Sequence, residues 1–382
     1  MRKKVYLEQN RRVYPERSRK VFVGMSGGVD SSVAAWLLKK QGYDVTGVFM
    51  RCFNLDGCAE KDAEDARRVA SCLKIPFYVF DFEEEYKKTV VDYMVNGYKR
   101  GLTPNPDVMC NKEIKFGLFL KKALALGADY VATGHYAIVK KENNFFKISA
   151  GKDKNKDQSY FLWTLNQDQL KHCLFPIGGY QKLQVRVMAK KAGLPTAVKK
   201  DSQGICFLGN ISMVDFLKTR LAVKIGKIVD VEGRSVGEHE GIHFYTIGQR
   251  HLGIKNNESR FRGNRETKPL YVATKNIRKN ILIVAEDEEN SALYRKEVEL
   301  ETVNFIDPAL PSLIRANGGI RVLARVRYRQ PLTRGFLSRS ISTRSGFRLV
   351  FDNPQKFVAA GQSAVFYSPI GSLEMLGGGV II

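Results

Sequence analysis

The chain has few cysteines and no closely paired cysteine motif. Its 382 residues include six cysteines, and none of them form a Cys-x-x-Cys pair. This argues against a disulfide framework, a zinc ribbon and an iron–sulfur motif. We expect reduced cysteines, with inert buried thiols as the default interpretation for Cys52, Cys58, Cys72 and Cys173.

Long apolar runs are also missing. No stretch approaches the roughly 18 consecutive apolar residues of a membrane span. The basic segment at residues 1–19 lacks the apolar run of a signal peptide. The sequence therefore predicts a cytoplasmic protein that is not attached to a membrane, with two or three domains.

Acidic residues are scarce relative to basic ones. The chain has 62 Lys and Arg against 39 Asp and Glu, a formal net charge of +23. This surplus favours a nucleic acid partner, although a solubilising surface is the alternative. Residues 311–350 hold nine arginines and no acidic residue. Alternation over 321–329 predicts a strand with Arg321, Arg325, Arg327 and Arg329 on one face, suited to a phosphate backbone or simply solvated.

Apolar patterning divides the chain into different fold types. Strands predicted at 21–25, 45–50, 77–82 and 130–133 alternate with helices at 31–41 and 59–73, which indicates a doubly wound, mainly parallel α/β sheet. Glycine-rich short runs then indicate a small mixed linker domain, and alternating β segments indicate an antiparallel β-barrel. We predict a basic extension at 1–19, an α/β domain at 20–205, a linker domain at 206–285 and a β-barrel at 286–382 whose arginines suit a nucleic acid.

The clearest motif follows the first predicted strand. Residues 24–32 read Gly-Met-Ser-Gly-Gly-Val-Asp-Ser-Ser, and glycine amides at the start of a helix suit phosphate oxygens. The spacing is neither that of the Walker A loop nor that of the dinucleotide turn. It resembles the pyrophosphate loop of enzymes that split ATP into AMP and pyrophosphate. An ordinary glycine-rich turn is the alternative.

Two other cysteines lie in polar segments. Residues 103–110 contain two prolines, so we predict a rigid loop that carries Asp107 and Cys110. Residues 201–207 carry Cys206 after a pair of lysines, Lys199 and Lys200, that could lower its thiol pKa or contact a nucleic acid. A buried small side chain is the alternative for each cysteine, but polar loops favour a chemical role.

Taken in order, seven segments resemble the tRNA-specific 2-thiouridylases. They are 26–32, 103–112, 132–137, 156–160, 201–207, 243–250 and 327–330. The resemblance spans nearly the whole chain and implies a fold like that of the adenine nucleotide alpha hydrolases. It also implies ATP-dependent thiolation of C2 of the wobble uridine in the tRNAs for Lys, Glu and Gln. Gln203 departs from the family, where many relatives have Thr, and residues 1–19 precede its usual start.

The resemblance also implies roles for individual residues. ATP with Mg²⁺ would be held by Gly24, Met25, Ser26, Gly27, Gly28, Val29, Asp30, Ser31, Met50 and Gly134. The flipped uracil would be held by Asn105, Pro106 and Asp107. Other tRNA contacts would be His135, Lys156, Asp157, Gln158, Tyr328, Arg329 and Gln362. Cys206 would carry sulfur as a persulfide, received from a persulfide donor protein or cysteine desulfurase, and Cys110 would attack it.

Burial could raise the pKa of Asp107 and make it a proton carrier, although a simple loop carboxylate that caps Cys110 or Asn111 is the alternative.

No resident metal and no DNA partner are expected. Three other functions share part of the pattern. A ligase that adenylates a carboxylate would need only the phosphate loop, and an RNA-binding module would need only the arginines. In an iron–sulfur thiolase, Asp107, Cys110 and Cys206 would converge on a cluster.

Overall fold

A computed structural model describes residues 19–53, 55, 57–201, 211–252, 268–341 and 346–382. Expectations for residues 1–18, Cys206 and Arg344 therefore lie outside the described residues. No helix in the described part combines the length and hydropathy needed to cross a bilayer.

The first half of the chain forms a doubly wound parallel sheet, as predicted. Its elements are β1 Lys20–Gly24, α1 Val29–Lys40, β2 Asp44–Arg51, α2 Cys58–Leu73, β3 Phe77–Asp81, α3 Glu83–Tyr86, α4 Asp92–Lys99, α5 Pro106–Met109, α6 Leu120–Ala125, β4 Tyr130–Ala132, β5 Ala137–Glu142, β6 Phe145–Ala150, α7 Gln167–Leu170, β7 Cys173–Leu174 and α8 Lys182–Lys191. Five of these strands form the parallel sheet, in the order β3-β2-β1-β4-β7. The other two, β5 and β6, form a separate antiparallel pair. Central β1 is apolar on both faces because helices cover both sides of the sheet.

The predicted loop at 103–110 is confirmed only for residues 103–105, because residues 106–110 are helical. Pro106 begins α5, and the Asn105 side chain accepts a hydrogen bond from Val108 N at 3.2 Å. The helix continues as a π-helical segment over Cys110–Phe119. A proline is tolerated at the first helical position because its missing N–H would have no helical partner there. Cys110 therefore lies buried in a helix.

A smaller mixed sheet follows. Its elements are α9 Met213–Lys218, β8 Gly226–Asp230, β9 Ser235–His239, β10 Leu270–Asn276 and β11 Ile281–Glu286. Strand order is β10-β11-β8-β9, with β8 and β11 parallel. We call this unit the middle sheet.

The C-terminal part is a closed antiparallel barrel, as predicted. It contains β12 Tyr294–Phe305, α10 Leu310–Ala316, β13 Ile320–Arg325, β14 Thr333–Arg339, β15 Phe347–Lys356, β16 Ser363–Tyr367 and β17 Met375–Ile381. The strands close in the order β12-β15-β14-β13-β16-β17. Alternate side chains such as Val322, Leu337 and Leu349 fill its interior.

The predicted arginine face on the barrel is wrong. Strand β13 ends at Arg325, which is buried, and Arg329 lies beyond the strand with a left-handed φ of 64°. Arg321 pairs with Asp352, and Arg348 pairs with a glutamate of β12. The acids that compensate these arginines come from outside residues 311–350, across the sheet, so a local window of sequence does not show them.

Candidate active site

The glycine-rich loop closes tightly at the start of α1. Gly27 has a φ of +69°, and a Cβ there would lie 2.4 Å from the backbone oxygen of Asp62. The Ser31 hydroxyl accepts from Ser26 N at 3.2 Å, and the Ser32 hydroxyl donates to Gly28 O at 2.7 Å. The exposed Ser26 and the amino end of a 12-residue helix therefore share one edge of the loop. This arrangement suits an anion such as phosphate.

Three strand ends meet at this loop. A Cβ on Gly24 would lie 2.9 Å from Met50 Cε, and one on Gly134 would lie 2.6 Å from Ser31 N. These residues follow or end β1, β2 and β4, so the structure brings the sequence-predicted nucleotide residues together at the carboxyl edge of the sheet. That edge is where ligands bind in open α/β folds.

Asp30 at the first turn of α1 belongs to an ion-pair network that the sequence did not reveal. Its carboxylate oxygens both lie 2.8 Å from Lys182 Nζ, and Tyr136 donates its hydroxyl to one of them at 2.8 Å. Burial, together with the charge of Asp30, raises the pKa of Tyr136. The buried Lys182 also lies 2.8 Å from Asp201 Oδ1. One lysine thus connects the phosphate loop to the residue that precedes segment 202–210.

Asp201 is held by two further cations. Lys156 Nζ lies 2.7 Å from Oδ2, and Arg186 Nη2 lies 2.6 Å from Oδ1. Burial alone would raise the pKa of Asp201, but hydrogen bonds and charge from Lys156 and Lys182 outweigh it and lower this pKa to about 2. Lys156, expected to contact tRNA, therefore uses its charge on Asp201 in this structure.

The lysine pair before Cys206 is also partly committed. Lys199 Nζ lies 2.7 Å from Asp62 Oδ1 and 2.6 Å from Asp65 Oδ2. The Lys199 charge is therefore paired within the fold. This pairing weakens the expectation that Lys199 lowers the thiol pKa of Cys206 or contacts tRNA.

Asp107 and His135 are related through Lys115, a residue that the sequence did not single out. Burial raises the pKa of Asp107, and the Lys115 charge opposes this rise. Burial also lowers the pKa of His135 well below its usual range, again with a contribution from Lys115. His135 Nδ1 lies 2.6 Å from the Thr133 hydroxyl. The lowered pKa favours a neutral imidazole, which is buried against Phe116, and a contact between His135 and tRNA stays a prediction.

The segment that leads into Asn105 is held by all three parts of the molecule. Thr103 N donates to Ala360 O at 2.8 Å, and Gln362 Nε2 donates to Thr103 O at 2.8 Å. From the middle sheet, Lys275 Nζ donates to Gly101 O at 3.1 Å. Gln362, expected to contact tRNA, therefore positions the segment before the predicted uracil site.

Asp157 is a structural anchor rather than an exposed contact. One carboxylate oxygen accepts from Gly151 N and Ser159 N, each at 3.0 Å, and the other lies 2.6 Å from the buried Arg325. The neighbouring Gln158 accepts from Tyr136 N at 3.1 Å. These bonds occupy the Asp157 carboxylate within the fold, and its contact with tRNA stays a prediction.

Arg329 and Tyr328 remain accessible. Arg329 is exposed, and its guanidinium lies 5.3 Å from the centre of the Tyr328 ring. Tyr328 in turn packs on Phe161, with ring centres 4.4 Å apart. This pair fits an RNA contact through stacking and charge.

Cys206 lies outside the described residues, so its predicted reaction with Cys110 stays a prediction. In the part of the chain that is described, no group of three His, Cys, Asp or Glu side chains could hold a metal ion. An iron–sulfur cluster held by Asp107, Cys110 and Cys206 therefore stays a hypothesis.

Comparison with protein families covers all three parts of the fold. Residues 19–210 match the tRNA methyl transferase HUP domain, residues 214–286 match the tRNA methyl transferase PRC-barrel domain, and residues 295–381 match the Aminomethyltransferase beta-barrel domain. Among solved structures, a 4-thiouridine synthetase–RNA complex with bound ATP has a TM-score of 0.34 at 18% identity, covering 53% of this chain and 50% of that one. A similarity this low carries no argument.

Curated relatives match over almost their whole length. A tRNA-specific 2-thiouridylase MnmA 2 of Geobacillus kaustophilus is 46% identical over 375 residues, which cover 96% of this chain and 95% of that protein. A tRNA-specific 2-thiouridylase MnmA of Alkaliphilus oremlandii is 45% identical over 96% of this chain and 97% of its own. With this identity over both chains, the protein belongs to the tRNA-specific 2-thiouridylase family.

Proposed function

We propose that the protein uses ATP to replace O2 of the wobble uridine with sulfur in the tRNAs for Lys, Glu and Gln. The products are 2-thiouridine in tRNA, AMP and pyrophosphate. The observation that carries this proposal is the single lysine, Lys182, shared by Asp30 of the phosphate loop and Asp201 at the start of the Cys206 segment. It links the ATP-activating and sulfur-carrying parts that one reaction needs.

In the first step, uracil O2 attacks the α-phosphorus of ATP and pyrophosphate leaves. The loop from Gly24 to Ser31, with Met50 and Gly134, would hold the nucleotide. The backbone N–H groups at the start of α1 suit phosphate oxygens, and glycines without a Cβ let the phosphates approach the backbone closely. Mg²⁺ bound with ATP would neutralise phosphate charge, and Asp30, the carboxylate of the loop, would be the residue that holds it.

Asp107 is the proposed proton acceptor in this step. When O2 forms its bond to phosphorus, the uracil ring must release the N3 proton to stay neutral. Asn105 and Pro106 would position the flipped base beside Asp107, since an anticodon base must leave its stack before its C2 can be reached. The raised pKa of Asp107 brings it nearer to the range in which a carboxylate exchanges protons efficiently.

In the second step, the terminal sulfur of a Cys206 persulfide attacks C2, and AMP leaves with the former O2. The Cys110 thiolate then attacks Cys206 Sγ and breaks the sulfur–sulfur bond, so that sulfur stays on uridine. The product disulfide, Cys110–Cys206, needs two electrons from a thiol reductant before the next turnover. A persulfide donor protein or cysteine desulfurase recharges Cys206.

The tRNA would be bound partly by the barrel. Arg329 and Tyr328 offer exposed charge and a ring, while Lys156 and Gln158 border the Asp201 network. For Asp157, His135 and Gln362, a supporting role behind this surface fits their bonds better than direct contact.

Isotope tracing tests the activation step. Transfer RNA carrying ¹⁸O at O2 of the wobble uridine is incubated with the protein, Mg²⁺–ATP and a persulfide donor. We expect one ¹⁸O atom in the released AMP and none in pyrophosphate. Recovery of ¹⁸O in water with unlabelled AMP would refute adenylation of O2.

A further inference from the structure

The outer face of α8 carries apolar side chains where a surface helix normally carries polar ones. Lys182, Val185 and Ala189 form its buried face, and the side chains of Val185 and Ala189 pack in the same core as α1. On the opposite face, Leu183 and Val187 are 76% and 50% exposed. Their i and i+4 spacing places them side by side on one face.

A third exposed apolar residue lies on the segment that is bonded to α8. Val198 is 79% exposed. Arg186 of α8 donates to Ala197 O at 3.4 Å and to Lys199 O at 3.0 Å, so the backbone on both sides of Val198 is fixed against the helix. Exposed apolar residues that cluster in this way are typical of contact surfaces, whereas isolated ones are not.

The rim of this surface is positively charged. Lys190, Lys191 and Lys200 are exposed, and among the described residues none of the three forms an ion pair with a carboxylate. Residues 180–200 contain no acidic residue. We name Leu183, Val187 and Val198, with these three lysines, the α8 patch. Its chemistry is complementary to an apolar surface with an acidic rim.

The α8 patch lies close to the proposed sulfur acceptor along the chain. Asp201 bonds to Arg186 of the same helix at 2.6 Å, and Cys206 is five residues later. An extended chain of that length spans at most about 18 Å between Cα atoms. A protein bound at the patch would therefore be near the thiol that must receive sulfur.

We propose that the α8 patch is the docking surface for the persulfide-bearing donor protein, an inference that rests on the proposed function. Leu183, Val187 and Val198 form the dry centre of the contact, and the lysines meet acidic residues around the donor's persulfide. A protein partner fits better than RNA, because three apolar side chains at the centre offer nothing to a phosphate backbone.

The transfer at this surface is a balanced exchange. The Cys206 thiolate attacks the outer sulfur of the donor persulfide, forming a new sulfur–sulfur bond. The bond between the donor's two sulfurs breaks, and its electron pair leaves with the donor thiolate. No external oxidant or reductant is consumed in this step.

The test compares two sulfur sources with the full-length protein. A cysteine desulfurase charged with cysteine must dock, whereas inorganic sulfide reaches adenylated uracil without a carrier protein. The variant is Leu183→Asp with Val187→Asp, and the control is Ile370→Asp, whose parent residue is 81% exposed elsewhere on the surface. We expect thiolation with the desulfurase to fall about tenfold or more in the variant. Thiolation with sulfide should stay within about twofold of the parent, as should tRNA affinity.

Other results overturn the inference. Unchanged transfer from the desulfurase would show that the patch is not the docking surface. An equal loss with sulfide, or a matching loss of tRNA affinity, would assign the patch to the fold or to RNA. If the unsubstituted protein thiolates tRNA with sulfide but not with the desulfurase, the donor protein is not the partner that binds the α8 patch. A parent that thiolates tRNA with neither source would instead refute the proposed function itself.

Discussion

The carboxylate of Asp157 lies 2.6 Å from the guanidinium of Arg325, and both side chains are buried. Asp157 belongs to the part of the chain that packs beside the phosphate loop, and Arg325 ends strand β13 of the barrel. Arg325 also donates to the Tyr367 hydroxyl at 2.8 Å. A buried ion pair therefore fixes the barrel against the domain that contains the parallel sheet.

Removing this arginine should destabilise the fold strongly. In Arg325→Met, Asp157 keeps its backbone donors but loses its only buried cation among the described residues, which costs about 3–5 kcal/mol. The free energy of unfolding in urea measures this. The control is Arg321→Ala, because the exposed Arg321–Asp352 pair contributes about 0–1 kcal/mol. Equal effects of the two substitutions would contradict the anchoring role.

Lys182 should stabilise the junction between the phosphate loop and the Cys206 segment. Lys182→Met leaves Asp30 and Asp201 without the cation they share, although both carboxylates are partly exposed and Asp201 retains Lys156 and Arg186. We expect the free energy of unfolding to fall by about 1–2 kcal/mol. Lys190→Met, on the exposed face of the same helix, should change it little. A stable Lys182→Met protein would show that the network carries no net stabilisation.

Gly134 should be required for nucleotide binding. A Cβ there would lie 2.6 Å from Ser31 N and 2.8 Å from the Asp30 carbonyl carbon, so alanine must displace the amino end of α1. We expect Gly134→Ala to weaken ATP binding about tenfold or more in calorimetry. Gly179→Ala is the matched control, because nothing lies within 4 Å of its added Cβ. Unchanged ATP affinity in Gly134→Ala would argue against this nucleotide site.

Asp107 should make the stability of the protein depend on pH. Burial raises its pKa, so the folded protein holds this proton at higher pH than the unfolded chain does. Above the raised pKa the ionised carboxylate destabilises the fold, and near the ordinary value of 3.8 the difference disappears. Asp107→Asn should therefore be more stable than the parent at about pH 8, with an advantage that shrinks as the pH falls.

The same substitution separates the two roles considered for Asp107. If Asp107 is the proton acceptor, the thiolation rate should fall as the pH falls through its pKa, because the carboxylate becomes protonated. Asp107→Asn should remove this pH dependence together with most of the rate. The exposed Asp44→Asn serves as the control. A normal rate in Asp107→Asn would leave Asp107 a structural carboxyl only.

Each proposed cysteine should block a different step. Cys206→Ser should lose thiolation but still form AMP-linked uridine, whereas Cys110→Ser should accumulate tRNA joined to Cys206 through C2–S–S–Cys206, without releasing product. Mass analysis of tRNA nucleosides and of the intact protein distinguishes these states. Cys72→Ser, at an exposed cysteine, should retain activity. Parent rates in either Cys110→Ser or Cys206→Ser would contradict the persulfide scheme.

Local patterns predicted the fold well, and long-range contacts explain the errors. The apolar runs gave the parallel sheet, because strands buried on both faces are continuous in sequence. Asp157 and Arg325 are 168 residues apart, so no local pattern could show their pairing. Lys182 and Lys115 resemble any surface lysine until the fold buries or surrounds them. Pro106 was misread because proline both breaks helices and begins them.

This protein should thiolate tRNA at the cost of ATP. Unmodified lysine tRNA is incubated with the protein, Mg²⁺–ATP and a persulfide donor, and its nucleosides are analysed by mass spectrometry. We predict 2-thiouridine at the wobble position, with none formed when ATP is omitted. Absence of 2-thiouridine with folded protein and a verified donor would contradict the account and favour a ligase that adenylates a carboxylate.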